Sequence, residues 1–142
     1  MLLGEFVQKL DAKNRVTLPA RLRSHFADGV VVTKGLDSCL FVFNRAGWQQ
    51  FTEARGAQLD PFSREGRVVS RFLYGGATEQ ELDGQGRVAV PPALIEHAGL
   101  SKDIVVAGLR DYLEIWDLAA WRRQQAESEG SVEDVTERLS QQ

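Results

Sequence analysis

The feature that most constrains this chain is an internal repeat. A displacement of 72 positions lays Leu10-Asp11-Ala12-Lys13-Asn14-Arg15-Val16-Thr17-Leu18-Pro19 over Leu82-Asp83-Gly84-Gln85-Gly86-Arg87-Val88-Ala89-Val90-Pro91, with Leu, Asp, Arg, Val and Pro identical in register. The match continues through Leu22 with Leu94 and His25 with His97. After a one-residue adjustment it pairs Gly35-Leu36 with Gly108-Leu109, Leu40 with Leu113, Val42 with Ile115 and Trp48 with Trp121. A chain built this way folds as two copies of one module. Half of 142 residues buries its surface poorly alone, so the copies are expected to share a core.

Each copy predicts the same elements. A short strand (Glu5 to Leu10, Glu79 to Leu82) precedes a tight turn and a second strand (Arg15 to Leu18, Arg87 to Val90). Asn14 and Gly86 stand before the shared arginine, and both residue types accept positive φ. Pro19 and Pro91 suit the first position of helices reaching His25 and His97. Strands Val30 to Lys34 and Leu40 to Phe43 follow in the first copy, Ile104 to Ala107 and Tyr112 to Trp116 in the second, and a closing helix carries Trp48 or Trp121. Between the copies, Phe62, Val69, Phe72 and Leu73 share one face of a predicted helix. At the end, Val132, Val135 and Leu139 mark a short amphipathic helix in an acidic tail that is otherwise expected to fray.

A lone hairpin is marginal in water, so the copies are expected to interleave their strands. The predicted fold is α+β: a pseudo-two-fold β-barrel with short flanking helices. The boundaries are 5–50 for the first repeat, 51–76 for a helical connector, 77–121 for the second repeat and 122–142 for the tail.

Composition narrows the function classes. With 43% hydrophobic and 26% charged residues and no long apolar run, no membrane span is expected. Met1 to Glu5 lacks the features of a signal peptide, so a cytoplasmic location is expected. Cys39 is the only cysteine, so it forms no intrachain disulfide and is expected to fill core. A net charge of −3 argues against binding polyanions by total charge and leaves room for a local basic patch. No nucleophile with base, carboxylate pair or metal cluster is recognisable, so no enzyme, cofactor or metal is expected. His25 and His97 suit favourable contacts with helix C-termini, and Gly84 and Gly86 read as turn glycines.

These residues resemble the MraZ family of transcription regulators, built from two SpoVT/AbrB-type modules each marked by Asp-x-x-x-Arg. The signatures here are Asp11 to Arg15 and Asp83 to Arg87, supported by Gly4-Glu5, Gly35-Leu36-Asp37, Cys39 to Val42, Gly76 to Glu79 and His97 to Leu100. Asn14, Gln80 and Asn44 depart from the family's usual glycine, cysteine and proline. The resemblance implies an AbrB-like swapped-hairpin barrel and a homo-oligomeric ring. It also implies nucleoid association and binding to double-stranded DNA at direct repeats in the promoter of the division and cell-wall gene cluster, with repression as the expected outcome.

Asp11 and Asp83 are most simply structural, capping a turn or pairing with an arginine across the pseudo-dyad. Sharing between the copies favours a structural role for the arginines, whereas the family resemblance favours Arg15 as a DNA contact; Arg15 is assigned to DNA and Arg87 to the frame. Lys9, Lys13, Arg21 and Arg23 correspond to Glu81, Gln85, Ala93 and Ile95, so the positive charge belongs to copy one. The candidate DNA-binding set is Lys13, Arg15, Asn14, Lys9, Arg21 and Arg23. One basic loop binds weakly, which requires several chains to act together. The alternative is a protein-interaction or antitoxin-like scaffold whose acidic tail engages a partner protein.

Overall fold

The computed structural model describes residues 1–142. Eight strands run in chain order: β1 (Leu2–Lys9), β2 (Arg15–Thr17), β3 (Val30–Lys34), β4 (Leu40–Phe43), β5 (Thr78–Gln80), β6 (Arg87–Ala89), β7 (Asp103–Arg110) and β8 (Leu113–Asp117). The α-helices are α1 (Arg45–Ala54), α2 (Arg64–Leu73), α3 (Pro92–Ala98), α4 (Leu118–Glu129) and α5 (Val132–Ser140). A 3-10 helix, Ala20–Phe26, stands in copy one where copy two has α3.

Six strands form one antiparallel sheet in the order β1-β7-β8-β4-β3-β5, and β2 pairs with β6 in a separate ladder. Exchanging the copies reverses the sheet order without changing it, which is the signature of a pseudo-dyad. That axis passes between Phe41 and Glu114, which face each other across β4 and β8, and between Val16 and Val88 in the small ladder. The first strand of each copy lies on the third strand of the other, β1 on β7 and β5 on β3. The interleaving expected from marginal hairpins is therefore the observed pairing.

The expected closed barrel is not found. β1 and β5 are edges of an open sheet. Pro19 and Pro91 follow close behind β2 and β6; lacking an N–H, proline cannot extend a ladder, and each of these strands stops at three residues. An isolated bridge from Leu10 to Val16 joins the segment that follows β1 to β2.

Strand periodicity divides the apolar residues between the two faces of the sheet. Leu40, Val42, Ile104, Val106, Leu113 and Ile115 point towards the β2–β6 ladder and, with Val16, Leu18, Val88 and Val90, form the larger core. Phe41, Phe43, Val105, Ala107 and Trp116 point the other way, under α1 and α4, and Cys39 is buried with them. Burial pushes the Cys39 thiol far above its ordinary range, with help from the carboxylates of Glu114 and Asp37.

Three local expectations need correction. Pro19 and Pro91 are the residues before the helices rather than their first positions, and Pro92 takes the first position of α3. The copy-one helix is 3-10 rather than α. Phe62 lies outside α2 and is 94% exposed: the Asp60 side chain accepts the Phe62 N–H at 2.9 Å in a turn, and Ser63 then caps the helix by accepting from Gly66.

The adjustment between the copies also differs by one position from the sequence match. Sheet register places Lys34 opposite Leu40 and Gly108 opposite Leu113, so Gly108 is the counterpart of Lys34 and not of Gly35. The β7–β8 reversal is shorter, closed by Leu109 N–H to Tyr112 O at 2.9 Å, whereas Gly35 N–H reaches Cys39 O at 2.7 Å.

Candidate nucleic-acid interface

Both Asp-x-x-x-Arg segments fold into the same small device. The Asp11 Oδ1 accepts the backbone N–H of Lys13 at 2.9 Å and of Arg15 at 2.8 Å, while Oδ2 accepts Arg15 Nε–H at 2.7 Å. The Asp83 carboxylate repeats this with the N–H groups of Gln85 and Arg87, both at 2.9 Å, and with Arg87 Nε–H at 2.6 Å. Each ion pair is made within its own copy rather than across the pseudo-dyad. A carboxylate that accepts this many charge-assisted and backbone hydrogen bonds favours its ionised form. Asp83 is drawn down to about 2, chiefly by the Arg87 N–H and against some desolvation. For Asp11 desolvation opposes the shift most, yet the Arg15 backbone and side chain and the Lys13 N–H carry its pKa below the ordinary value.

The turns need a residue with positive φ before the arginine, and find Asn14 at 56° and Gly86 at 74°. Their carbonyls tie the copies together: Leu18 N–H donates to Gly86 O and Val90 N–H to Asn14 O, each at 2.9 Å. The turns therefore stand at opposite ends of the β2–β6 ladder on a cross-linked base. Here the copies diverge. Gly86 is buried beneath Arg23, whose Nε–H donates to Leu18 O at 2.9 Å, whereas Asn14 is exposed.

The six candidate residues thus have different surroundings. Lys13 and Asn14 are exposed at the tip of the copy-one turn, and Lys13 enters no ion pair. Arg15 is half-buried, with its Nε held by Asp11. Lys9 is exposed and paired with Asp103. Arg21 lies over the Phe6 ring, 4.8 Å from its centre, and Arg23 packs across the pseudo-dyad on the other turn. Arg87 matches Arg15 in geometry and burial, so the geometry alone does not separate the two arginines.

Sequence reasoning missed one residue. Leu10 N–H donates to Lys102 O at 2.8 Å, which sets Lys102 of copy two beside the copy-one turn, in a shallow depression shared with Asp11, Ala12 and Asn14. In copy two the β3–β5 ladder ends with Val30 opposite Gln80, and no hydrogen bond equivalent to Leu10–Lys102 is made. Lys9, Lys13 and Lys102 lie on or beside the copy-one turn, while the residues matching Lys9 and Lys13 in copy two are Glu81 and Gln85. The signal was present only in three dimensions, because the interleaved strands carry Lys102 of copy two to the copy-one turn.

Two family departures have visible jobs. Gln80 clamps β6 through both ends of its amide, donating to Ala89 O at 2.9 Å and accepting from Ala89 N–H at 2.8 Å. Asn44 caps α1 by accepting from Gly47 and also donates to His25 O at 2.9 Å. His97 reaches Gly35 O at 3.0 Å through Nε2 and meets the Phe72 ring edge-on, a packing role for a helix-end histidine.

No helix is long and apolar enough to cross a membrane. The family model described as "MraZ protein, putative antitoxin-like" matches residues 1–72 and again 73–142, which covers both copies found by self-comparison. A protein of Heliobacterium modesticaldum named transcriptional regulator MraZ is 41% identical over 140 residues, spanning 98% of this chain and 96% of its own. The proteins of the same name from Desulforamulus reducens (42% over 140 residues, 98% and 97% covered) and Natranaerobius thermophilus (40% over 139 residues, 98% and 96%) are similar throughout as well. Two tandem family matches and near-complete coverage at this identity place the chain in the MraZ family.

Proposed function

We propose that this chain is a DNA-binding transcriptional regulator that engages double-stranded DNA with its copy-one turn. The carrying observation is the asymmetry between two turns of one backbone geometry: the Asn14 turn is exposed, with Lys13 at its tip and Lys102 beside it, whereas Gly86 is buried under Arg23, whose Nε–H is spent on Leu18 O. Lys9, Lys13 and Lys102 attract phosphate, and Arg15, of which Asp11 holds only the Nε–H, offers its remaining guanidinium donors to a base edge or phosphate. Arg21 and Arg23, engaged with Phe6 and with the opposite turn, serve mainly to brace the platform. Several chains in a ring present equivalent turns to direct repeats in the promoter of a division and cell-wall gene cluster, repressing it on the nucleoid; the naming of the relatives as transcriptional regulators supports the regulatory role itself.

A salt-titrated gel shift on the promoter upstream of the protein's own gene, with scrambled repeats as control, tests it. Lys13→Glu with Lys102→Glu removes two phosphate contacts and repels at both, so specific binding falls at least tenfold and the log–log salt slope shallows by about 2. Unchanged affinity and slope would remove the copy-one turn from the interface. The family description "antitoxin-like" favours a second reading, a scaffold that engages another protein, in which the same double variant retains its partner and its biological effect.

A further inference from the structure

The pseudo-dyad relates two grooves on the helical side of the sheet, and the two have different floors. In copy one, Leu36, Phe41, Phe51, Val68, Val69 and Phe72 line an apolar groove of about 360 Å³ between α1 and α2. Its copy-two counterpart replaces Phe41 with Glu114, Phe51 with Gln124 and Arg55 with Ser128. In each copy a helix follows the one packed on the sheet: α2 follows α1, and α5 follows α4. α2 returns to its groove, where Leu73 is buried and its carbonyl accepts from the buried Thr33 hydroxyl at 2.5 Å. α5 does not return.

No residue of α5 is buried, although Val132, Val135 and Leu139 make an apolar stripe along one face. A nine-residue helix without tertiary cover is marginal in water, and Ser131 gives it no side-chain cap. The counterpart in its own copy is more polar: Glu5, Glu114, Gln124 and Gln125 share it with Ala107, Leu109, Trp116 and Trp121. The apolar groove, meanwhile, is incompletely covered: Leu36 is 65% exposed and Val68 58%. Charge matches as well. Glu133, Asp134 and Glu137 flank the α5 stripe, and Arg55 lines the groove beside Arg64, Arg67 and Arg71 of α2.

We propose that α5 of one chain docks in the α1–α2 groove of a second copy of this chain. The contact joins unlike surfaces, so it repeats from chain to chain and closes into a ring when its rotation permits. It gives the several-chain assembly of the proposed function a contact, and it leaves the DNA turns free, since the groove and the β2–β6 ladder lie on opposite faces of the sheet.

Full-length chains carrying Val135→Cys and Val69→Cys are purified separately, mixed without DNA and oxidised. Buried Cys39 takes no part. The expected result is a mixed disulfide dimer that forms only when both chains are present, together with a fall in oligomer mass by sedimentation when Val135→Asp and Leu139→Asp are combined. Circular dichroism and melting temperature stay within a few degrees of the parent. Absence of the mixed disulfide, cross-linking confined to one chain when Val135→Cys and Val69→Cys are placed in the same chain, or unchanged mass in the aspartate variant overturns the docking contact. Because this assay contains no DNA, its failure is distinct from failure of the gel shift, which alone judges the turn.

Discussion

Gly86 shows how one position serves two masters. Its φ of 74° is uncomfortable for a side chain, and the space above it belongs to the Arg23 guanidinium, which an added Cβ would meet at 2.3 Å. Gly86→Val combines both penalties and is expected to lower stability by about 2 kcal/mol or more in a denaturant titration. At the equivalent Asn14, which is exposed and already at positive φ, Asn14→Gly should change stability by only about 0.5 kcal/mol. The sequence shows the need for positive φ at both positions, but Arg23 covering Gly86 is a contact across the copies that no spacing reveals. The motif aspartates make a pH prediction. Folding lowers the Asp83 pKa to about 2, so its contribution is fully present above the unfolded value of 3.8 and is lost as pH falls towards 2. Asp83→Asn should therefore lower the melting temperature at pH 6 and have little effect near pH 2, in parallel melts of variant and parent.

Among the elements, legibility followed locality. Val30–Lys34 and Leu40–Phe43 are read from sequence at their observed limits because each carries consecutive apolar residues, Val30 to Val32 and Leu40 to Phe43, buried on both faces and followed by turn residues. The open sheet, the offset of Gly108 and the place of Lys102 depend on which strands of different copies pair, and hydrophobic pattern does not encode that choice. Glu114 is the clearest case. Sequence puts it in a strand, and the fold sets it opposite the aromatic Phe41 on the pseudo-dyad. Burial raises its pKa, outweighing the Trp116 indole N–H at 2.8 Å and the Cys39 thiol, both of which favour the charged form. A carboxyl whose folded pKa is raised costs stability once pH exceeds that value and costs nothing below its unfolded one. Glu114→Gln should accordingly raise the melting temperature at pH 8, with the gain disappearing near pH 4.

At the scale of the whole molecule, a net charge of −3 and affinity for a polyanion are compatible only if the cations are concentrated and repeated. The fold concentrates them by interleaving, which carries Lys102 to the turn that already holds Lys9 and Lys13. Repetition requires linked chains. Each additional turn engaged on the same DNA binds at an effective concentration of about millimolar, so avidity exceeds single-turn affinity by about 10² to 10⁴. Affinity should therefore climb steeply when the DNA carries two or more direct repeats rather than one. The Val135→Asp and Leu139→Asp chain keeps every turn residue but loses the contact proposed to link copies, so its affinity for one repeat and for several should be nearly equal. Fluorescence anisotropy on DNAs of one to four repeats measures both curves. If wild type shows no gain with repeat number, each chain acts alone, and recognition must reside in more of a single chain's surface than this one turn.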